Sequence, residues 1–330
     1  MLVEEELSRA VPEGDTAFTI GVFDGVHLGH RFLIEKLKEK AASESLVSGV
    51  ITFKHHPRLV FSPRSQITCL TTLEERVRLL ESLGVVHVVT LSFTPELSQL
   101  SAREFITLLK RYLRIRGLVI GPDFALGSRR EGDARALKAL GEELDFSVEV
   151  VPPRLLQGKV VSSTAVRGAL SQGNVREVGE LLGRYFTLTG QVSHGDARGK
   201  SLGFPTANLI PEREQALPAD GIYAAQAFFS ERNIGVRPAA QGRSRKTARK
   251  ADSETAYPAV INIGLRPTFD GSKRLVEAHL LDFSGDLYGQ ELKIELVERL
   301  RGEERFSSAQ ELKAQIVRDV EQARSLLKRP

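Results

Sequence analysis

Two histidines three residues apart, His27 and His30, close the decamer GVFDGVHLGH at 21–30. At a helix start, free backbone N–H groups and the positive dipole end favour phosphate, and imidazoles can donate hydrogen bonds as charge grows on a leaving pyrophosphate. The same pair would also serve plain packing. Zinc suits it poorly, because a helical zinc pair is usually spaced i,i+4 beside a Glu and needs a third ligand. The Gly-x-Gly-x-x-Gly spacing of a dinucleotide site is missing. A second cluster, VSSTAVRGAL at 161–170, puts Ser162, Ser163 and Thr164 at a helix start with Arg167 in its first turn. Hydroxyls, free N–H groups and a guanidinium fork grip a polyphosphate well, although an ordinary N-cap with a surface arginine has the same residues. Two phosphate-ready helix starts behind strands of one sheet favour phosphate chemistry.

The second half of the chain carries HGDARGKSLGFPTAN from His194, a near-match to a P-loop whose glycines stand one residue too close. A P-loop also needs a helix directly after it, whereas Pro205 pushes its neighbour away from helical angles. What remains is a glycine turn leading into an extended segment. There Thr206 and Asn208 share a face and offer neutral oxygens, which suit Mg²⁺ when phosphates supply its other ligands. In RLVEAHLLDF (274–283), Glu277 and His279 likewise share a face. A carboxylate opposite an ATP-binding turn could take the proton of an attacking alcohol. Both pairs could equally be the solvent side of barrel strands.

The elements that must position these groups fall into two patterns. Through about residue 183, the runs AFTIGVF, LVSGVITF, VVHVVTL, GLVIG and FSVEVV alternate with amphipathic helical stretches. That alternation predicts a doubly wound parallel sheet, with ligands at the carboxyl ends of its strands. From residue 184, strand-like runs follow one another without helices, predicting a small antiparallel barrel. A last helix is predicted to open on a capping box at Ser307 and Gln310. The expected domains are therefore 1–183 and 184–330, with a basic loop at about 231–254 inserted between barrel strands.

Within the 330 residues, no apolar run approaches the length needed to span a bilayer. The N-terminus lacks the layout of a signal peptide. A single cysteine, Cys69, excludes an intrachain disulfide and a thiolate metal cluster. The net charge of +4 is misleading, because residues 231–250 hold seven Arg or Lys against one Glu and leave the rest of the chain net acidic. That segment reads as a solvated loop. A cytoplasmic protein without a membrane or nucleic-acid partner is expected, with a monomer as the default.

GVFDGVHLGH together with VSSTAVRGAL resembles the nucleotidylyltransferase superfamily, and GPDFALG (121–127) is similar to the flavin-side loop of its FAD synthetase branch. GKSLGFPTAN, INIGLRPTF, VEAHLLDF and DLYGQEL resemble, in order, riboflavin kinase modules. The likeness runs from residue 15 to 325, as in bacterial bifunctional riboflavin kinase/FMN adenylyltransferases. It implies phosphorylation of riboflavin to FMN and adenylylation of FMN to FAD, with ATP as co-substrate in both steps and Mg²⁺ as cofactor. By resemblance, Gly21, Phe23, Asp24, Gly25, His27, His30, Ser163, Thr164 and Arg167 bind ATP for adenylyl transfer. Pro57, Asp123 and Phe124 bind flavin. Gly199, Lys200 and Gly203 belong to a flap over the second ATP, Thr206 and Asn208 engage Mg-ATP, and Glu277 is the base on the ribityl hydroxyl. One departure is His55 in FKHHPR (53–58), where the family usually has proline in the wall of the flavin pocket. On the first cluster alone, adenylylation of another small phosphate would serve equally, with the barrel as a binding module.

Overall fold

The structure, a computed structural model, describes residues 1–61, 68–193, 203–212, 214–229, 255–268 and 271–328. It divides into two compact units, 1–165 and 166–330.

The first unit runs α1 (Leu2–Ser8), β1 (Thr16–Ile20), α2 (Leu28–Ser43), β2 (Val47–Phe53), α3 (Arg58–Phe61), α4 (Leu73–Ser82), β3 (His87–Leu91), α5 (Pro95–Gln99), α6 (Ala102–Leu113) and β4 (Ile115–Ile120). It continues through β5 (Ala125–Leu126), β6 (Gly132–Asp133), α7 (Ala134–Leu144), β7 (Ser147–Val150) and the hairpin β8 (Leu155–Leu156) and β9 (Lys159–Val160). Five strands form the predicted sheet in the order β3-β2-β1-β4-β7, with every pair parallel. Successive side chains of a strand point to opposite faces, so each face acquires its own core. Phe18 and Ile20 of β1 pack with Phe105, Leu109 and Leu137 from α6 and α7. Ala17 packs on the other side with Ile34 and Leu37 of α2 and Leu80 of α4. Gly49 stands in register with Phe18, and a Cβ there would lie 2.2 Å from the Phe18 ring. Only glycine leaves room for that ring. The chain builds outward from β1 on one side and then crosses to the other, so the β1/β4 boundary is the switch point where such sheets open a ligand crevice.

Helix α8 (Ser163–Ser171) opens in the first unit and continues into the second. Then come α9 (Val175–Leu182), β10 (Phe186–Ser193), β11 (Ala207–Pro211), β12 (Gly221–Phe229), β13 (Thr255–Thr268), β14 (Gly271–Leu280), β15 (Glu291–Arg301) and α10 (Ala309–Leu327). The six strands close an antiparallel barrel in the order β10-β11-β14-β13-β12-β15. Leu188, Leu209, Tyr223, Ile261, Ile263, Val276, Ala278 and Ile294 are among its buried residues. A closed barrel leaves no unpaired edge.

Helix α10 lies against the barrel through Ala323, which is buried with Ala224, Val260 and Leu281. Its position is locked by Arg301, whose guanidinium pairs with the buried Asp319 through Nη2–Oδ2 at 2.8 Å and Nε–Oδ1 at 3.0 Å. The cap of α10 differs from the expected Ser307/Gln310 box by one residue. Ser308 Oγ accepts from Glu311 N at 3.2 Å, and Glu311 Oε2 accepts from Ser307 N at 3.1 Å and Ser307 Oγ at 2.8 Å. A charged carboxylate complements the positive helix end better than the Gln310 amide does. Among the described residues, no helix is long and apolar enough to cross a membrane. The expected basic loop at 231–254 lies outside the described residues.

Candidate functional site

The first cluster forms where β1 ends. Between β1 and α2 the backbone takes positive φ at Phe23 (50°), Gly25 (82°) and Val26 (38°). Such values are uncommon for non-glycine residues and persist only where the surroundings impose them. Here the imposing contacts are identifiable. Asp24, buried, accepts at Oδ1 from Leu70 N at 2.8 Å and Thr71 N at 3.2 Å. Thr71 Oγ1 accepts from Gly25 N at 3.1 Å. The Val22 carbonyl accepts from Thr52 Oγ1 at 3.0 Å and from Nη1 of Arg76 at 2.7 Å. The loop is thus held from β2, from the segment before α4, and from α4 itself.

This bracing delivers His27 to the N-cap of α2, where its Nδ1 accepts from His30 N at 3.3 Å. The two rings stack with centroids 3.6 Å apart and planes 18° apart, and the Phe23 ring meets His30 edge-on at 5.1 Å. The pair meets because one ring caps the helix and the other occupies its first turn. Burial, joined by the proximity of His27 and of the Arg76 guanidinium, holds His30 well below the ordinary histidine value of 6.5, so it is a neutral imidazole at pH 7. Its Nδ1 is enclosed without a hydrogen-bond partner among the described residues. The motif glycine between the histidines also has a steric reason: a Cβ on Gly29 would lie 2.8 Å from the Val161 carbonyl oxygen.

The second phosphate-ready helix start comes to the same place. Ser162 caps α8 by accepting from Ala165 N at 3.2 Å, and Ser163 Oγ donates to the Asp24 carbonyl at 2.9 Å. Because α8 begins at Ser163, Arg167 opens its second turn rather than sitting in the first, on the same side as Ser163 at i,i+4.

The barrel cluster is built by strand register. Asn208 of β11 stands opposite Glu277 of β14, which stands opposite Asn262 of β13. Val276 and Ala278 are buried, so Glu277 faces the other way and is half-buried. Asn262 Nδ2 donates to Glu277 Oε2 at 3.1 Å, and Asn208 Oδ1 is enclosed without a partner among the described residues. His279 Nδ1 lies 2.8 Å from the Pro205 carbonyl oxygen, a contact that requires the proton on Nδ1. That contact and an edge-on Phe204 ring 5.5 Å away pin the segment carrying Thr206. Gly203 turns at φ +91°, where a side chain would be strained. Gly199 and Lys200, expected in the flap, lie outside the described residues.

Each unit matches a family model, FAD synthetase over residues 10–165 and riboflavin kinase over residues 182–327. The chain is 39% identical to the bifunctional riboflavin kinase/FMN adenylyltransferase of Escherichia coli, over 95% of this chain and 93% of the relative. It therefore belongs to the bifunctional riboflavin kinase/FMN adenylyltransferase family. The Haemophilus influenzae member is 34% identical over 94% of this chain and 93% of its own. A crystal structure from Streptococcus pneumoniae, described as a macrolide-efflux protein, superposes with a TM-score of 0.84 at 29% identity, covering 98% of this chain and 97% of that one.

For a member of this family, the residues expected at the flavin stand along the carboxyl ends of the strands. Pro57 follows β2 and is half-buried; Asp123 and Phe124 follow β4, the first exposed and the second packed on the core. The Asp123 carbonyl accepts from Arg130 Nη2 at 3.0 Å, and His55 is exposed. The sequence reading missed the aromatic rings of Phe61 and Phe93. Phe93 meets Phe53 at 5.4 Å and Phe61 at 5.9 Å, and Phe61 is 66% exposed. It also missed Thr71, Arg76 and Asn262. Arg76 had a visible signal, a charged residue four before Leu80 on the core-facing side of α4. Asn262 had none, because its meaning lies in its partner across the sheet.

Proposed function

We propose that the barrel phosphorylates riboflavin to FMN, that the parallel-sheet unit adenylylates FMN to FAD, and that the chain works in the cytoplasm. The observation that carries this reading is that each unit, taken by itself, assembles one polar cluster suited to one kind of phosphate chemistry. The functional division is taken at 183/184, where the helical segments give way to the first barrel strand.

In adenylyl transfer, an FMN phosphate oxygen attacks the α-phosphorus of ATP in line and pyrophosphate leaves. No covalent enzyme intermediate is needed, so the protein aligns and stabilises charge. Gly21, Phe23, Asp24 and Gly25 shape the loop under ATP, with Asp24 acting through the bracing contacts above. His27 and His30 meet the phosphates, and Ser163, Thr164 and Arg167 clamp them. Pro57, Asp123 and Phe124 line the flavin, joined by Phe61 and Phe93, whose rings offer it a stacking surface.

In the kinase step, Glu277 accepts the proton of the primary ribityl hydroxyl as its oxygen attacks the γ-phosphorus, the bond to the β,γ-bridging oxygen breaks and ADP leaves. The Asn208 Oδ1, enclosed without a partner among the described residues, is a neutral hard oxygen of the kind Mg²⁺ prefers. Asn208 and Thr206 would hold Mg²⁺, which when bound offsets charge on the ATP oxygens. Gly199, Lys200 and Gly203 are carried over from the family likeness as residues that bind the nucleotide.

The test is incubation with riboflavin and Mg-ATP, with the flavins resolved chromatographically. FMN should appear first and FAD after it. Glu277→Gln should abolish FMN formation and leave FMN-to-FAD conversion within about twofold, and His27→Ala should do the reverse. Loss of both activities from either folded variant refutes separate sites.

A further inference from the structure

The candidate base of the kinase reaction has an amide on each side, and only one of them has a role so far. Strands β11, β14 and β13 are neighbours in the barrel wall, and Asn208, Glu277 and Asn262 stand directly opposite one another across them. An ionised carboxylate only accepts hydrogen bonds, so an amide facing it must present its NH₂. Asn262 does so, with Nδ2 3.1 Å from Glu277 Oε2. The terminal torsion of a free Glu is broad and two-fold. A donor fixed on the adjacent strand selects one orientation, spends Oε2 and leaves Oε1 to receive a proton.

We propose that Asn262 is a positioning residue for riboflavin phosphorylation, holding the Glu277 carboxylate in the orientation that accepts the hydroxyl proton. The proposal rests on Glu277 being the base. Asn262 is not needed to hold the barrel together. Its flanking residues Ile261 and Ile263 are fully buried, while Asn262 itself is half-exposed on the opposite face. Its backbone pairing with Ile222 of β12 and with Glu277 would survive side-chain replacement.

The experiment uses the full chain with Asn262→Ala, Asn262→Ser and Glu277→Gln, measuring riboflavin phosphorylation and FMN adenylylation with Mg-ATP in each preparation. A misplaced reacting group costs on the order of 10- to 100-fold in rate. Asn262→Ala should therefore lower kcat for riboflavin by about that factor, with KM for riboflavin and ATP changed less than about threefold. Its FMN adenylylation and thermal melt should match wild type. Asn262→Ser, whose hydroxyl can still donate to the carboxylate, should recover at least about threefold over Ala. The proposal is overturned by an Ala variant with kcat within twofold of wild type, by an effect confined to KM, or by Ser no better than Ala. If Glu277→Gln still phosphorylates riboflavin, the base assignment fails and the proposal with it. If Glu277→Gln is inactive while Asn262→Ala is fully active, the role of Asn262 alone fails.

Discussion

Gly29→Ala tests whether the two phosphate-ready helix starts of the first unit must approach as closely as they do. Gly29 is the second residue of α2, and its added Cβ would lie 2.8 Å from the Val161 carbonyl oxygen and 3.1 Å from Cε1 and Nδ1 of His27. Ordinary contact begins near 3.4 Å, so backbone at Val161 or α2 must move by about 0.6 Å. Overpacking of this kind costs about 1–3 kcal/mol. The helix preference of Ala over Gly returns about 1 kcal/mol, which leaves a net loss of roughly 0–2 kcal/mol. A domain with typical stability of about 5–15 kcal/mol stays folded. The chemistry is more sensitive. Val161 leads directly into Ser163 and Thr164, the His27 ring is displaced as well, and a misplacement near 1 Å costs about 100-fold. FMN-to-FAD conversion should fall by roughly 10- to 100-fold, while riboflavin phosphorylation in the same preparation stays within twofold. A folded Gly29→Ala protein making FAD at the wild-type rate would refute the claim that this close approach sets the ATP site.

The neutral state of His30 makes stability depend on pH. Because burial and the proximity of His27 and Arg76 hold its folded pKa well below 6.5, the unfolded chain binds that proton more readily. Its contribution is therefore complete above about pH 6.5 and lost as pH falls toward the folded pKa, with a slope of at most about 1.4 kcal/mol per pH unit. Urea midpoints at pH 7.5 and 5.5 should differ less for His30→Gln than for wild type, and equal differences would contradict the assignment. In the barrel, a Cβ on Gly190 would lie 2.1 Å from the Ile210 carbonyl oxygen, backbone against which nothing can yield cheaply. Gly190→Ala should part β10 from the strand bearing Asn208 and abolish riboflavin phosphorylation while sparing FMN adenylylation. Retained kinase activity would show that β11 can shift without harm. Arg301→Met leaves the buried Asp319 carboxylate without its cation, with only the Gln315 amide still donating to it at 2.8 Å, an expected loss of about 3–5 kcal/mol; urea unfolding showing less than 1 kcal/mol would count against α10 being locked by this pair.

The parts of this molecule legible in the sequence are those coded within a few residues. The strand and helix rhythm before residue 184, the strand-only pattern after it, the His27/His30 pair and the PTAN segment all follow from spacing along one stretch of chain. Local reading strained where two neighbouring residues could do the same job, as at the cap of α10, where Ser308 and Glu311 displaced Ser307 and Gln310 because a carboxylate suits the helix dipole better. It also placed Arg167 one turn early, since only the observed start of α8 sets that count.

The sequence by itself determined which residue types were present for phosphate chemistry and on which kind of element each would sit. Tertiary structure alone decided their company. The loop before His27 is held by Thr52, Thr71 and Arg76, and Glu277 lies between Asn208 and Asn262. The physical reason is that hydrogen bonds across parallel strands and between barrel strands join residues 15 to 69 positions apart, and periodicity along the chain carries no record of strand order or register.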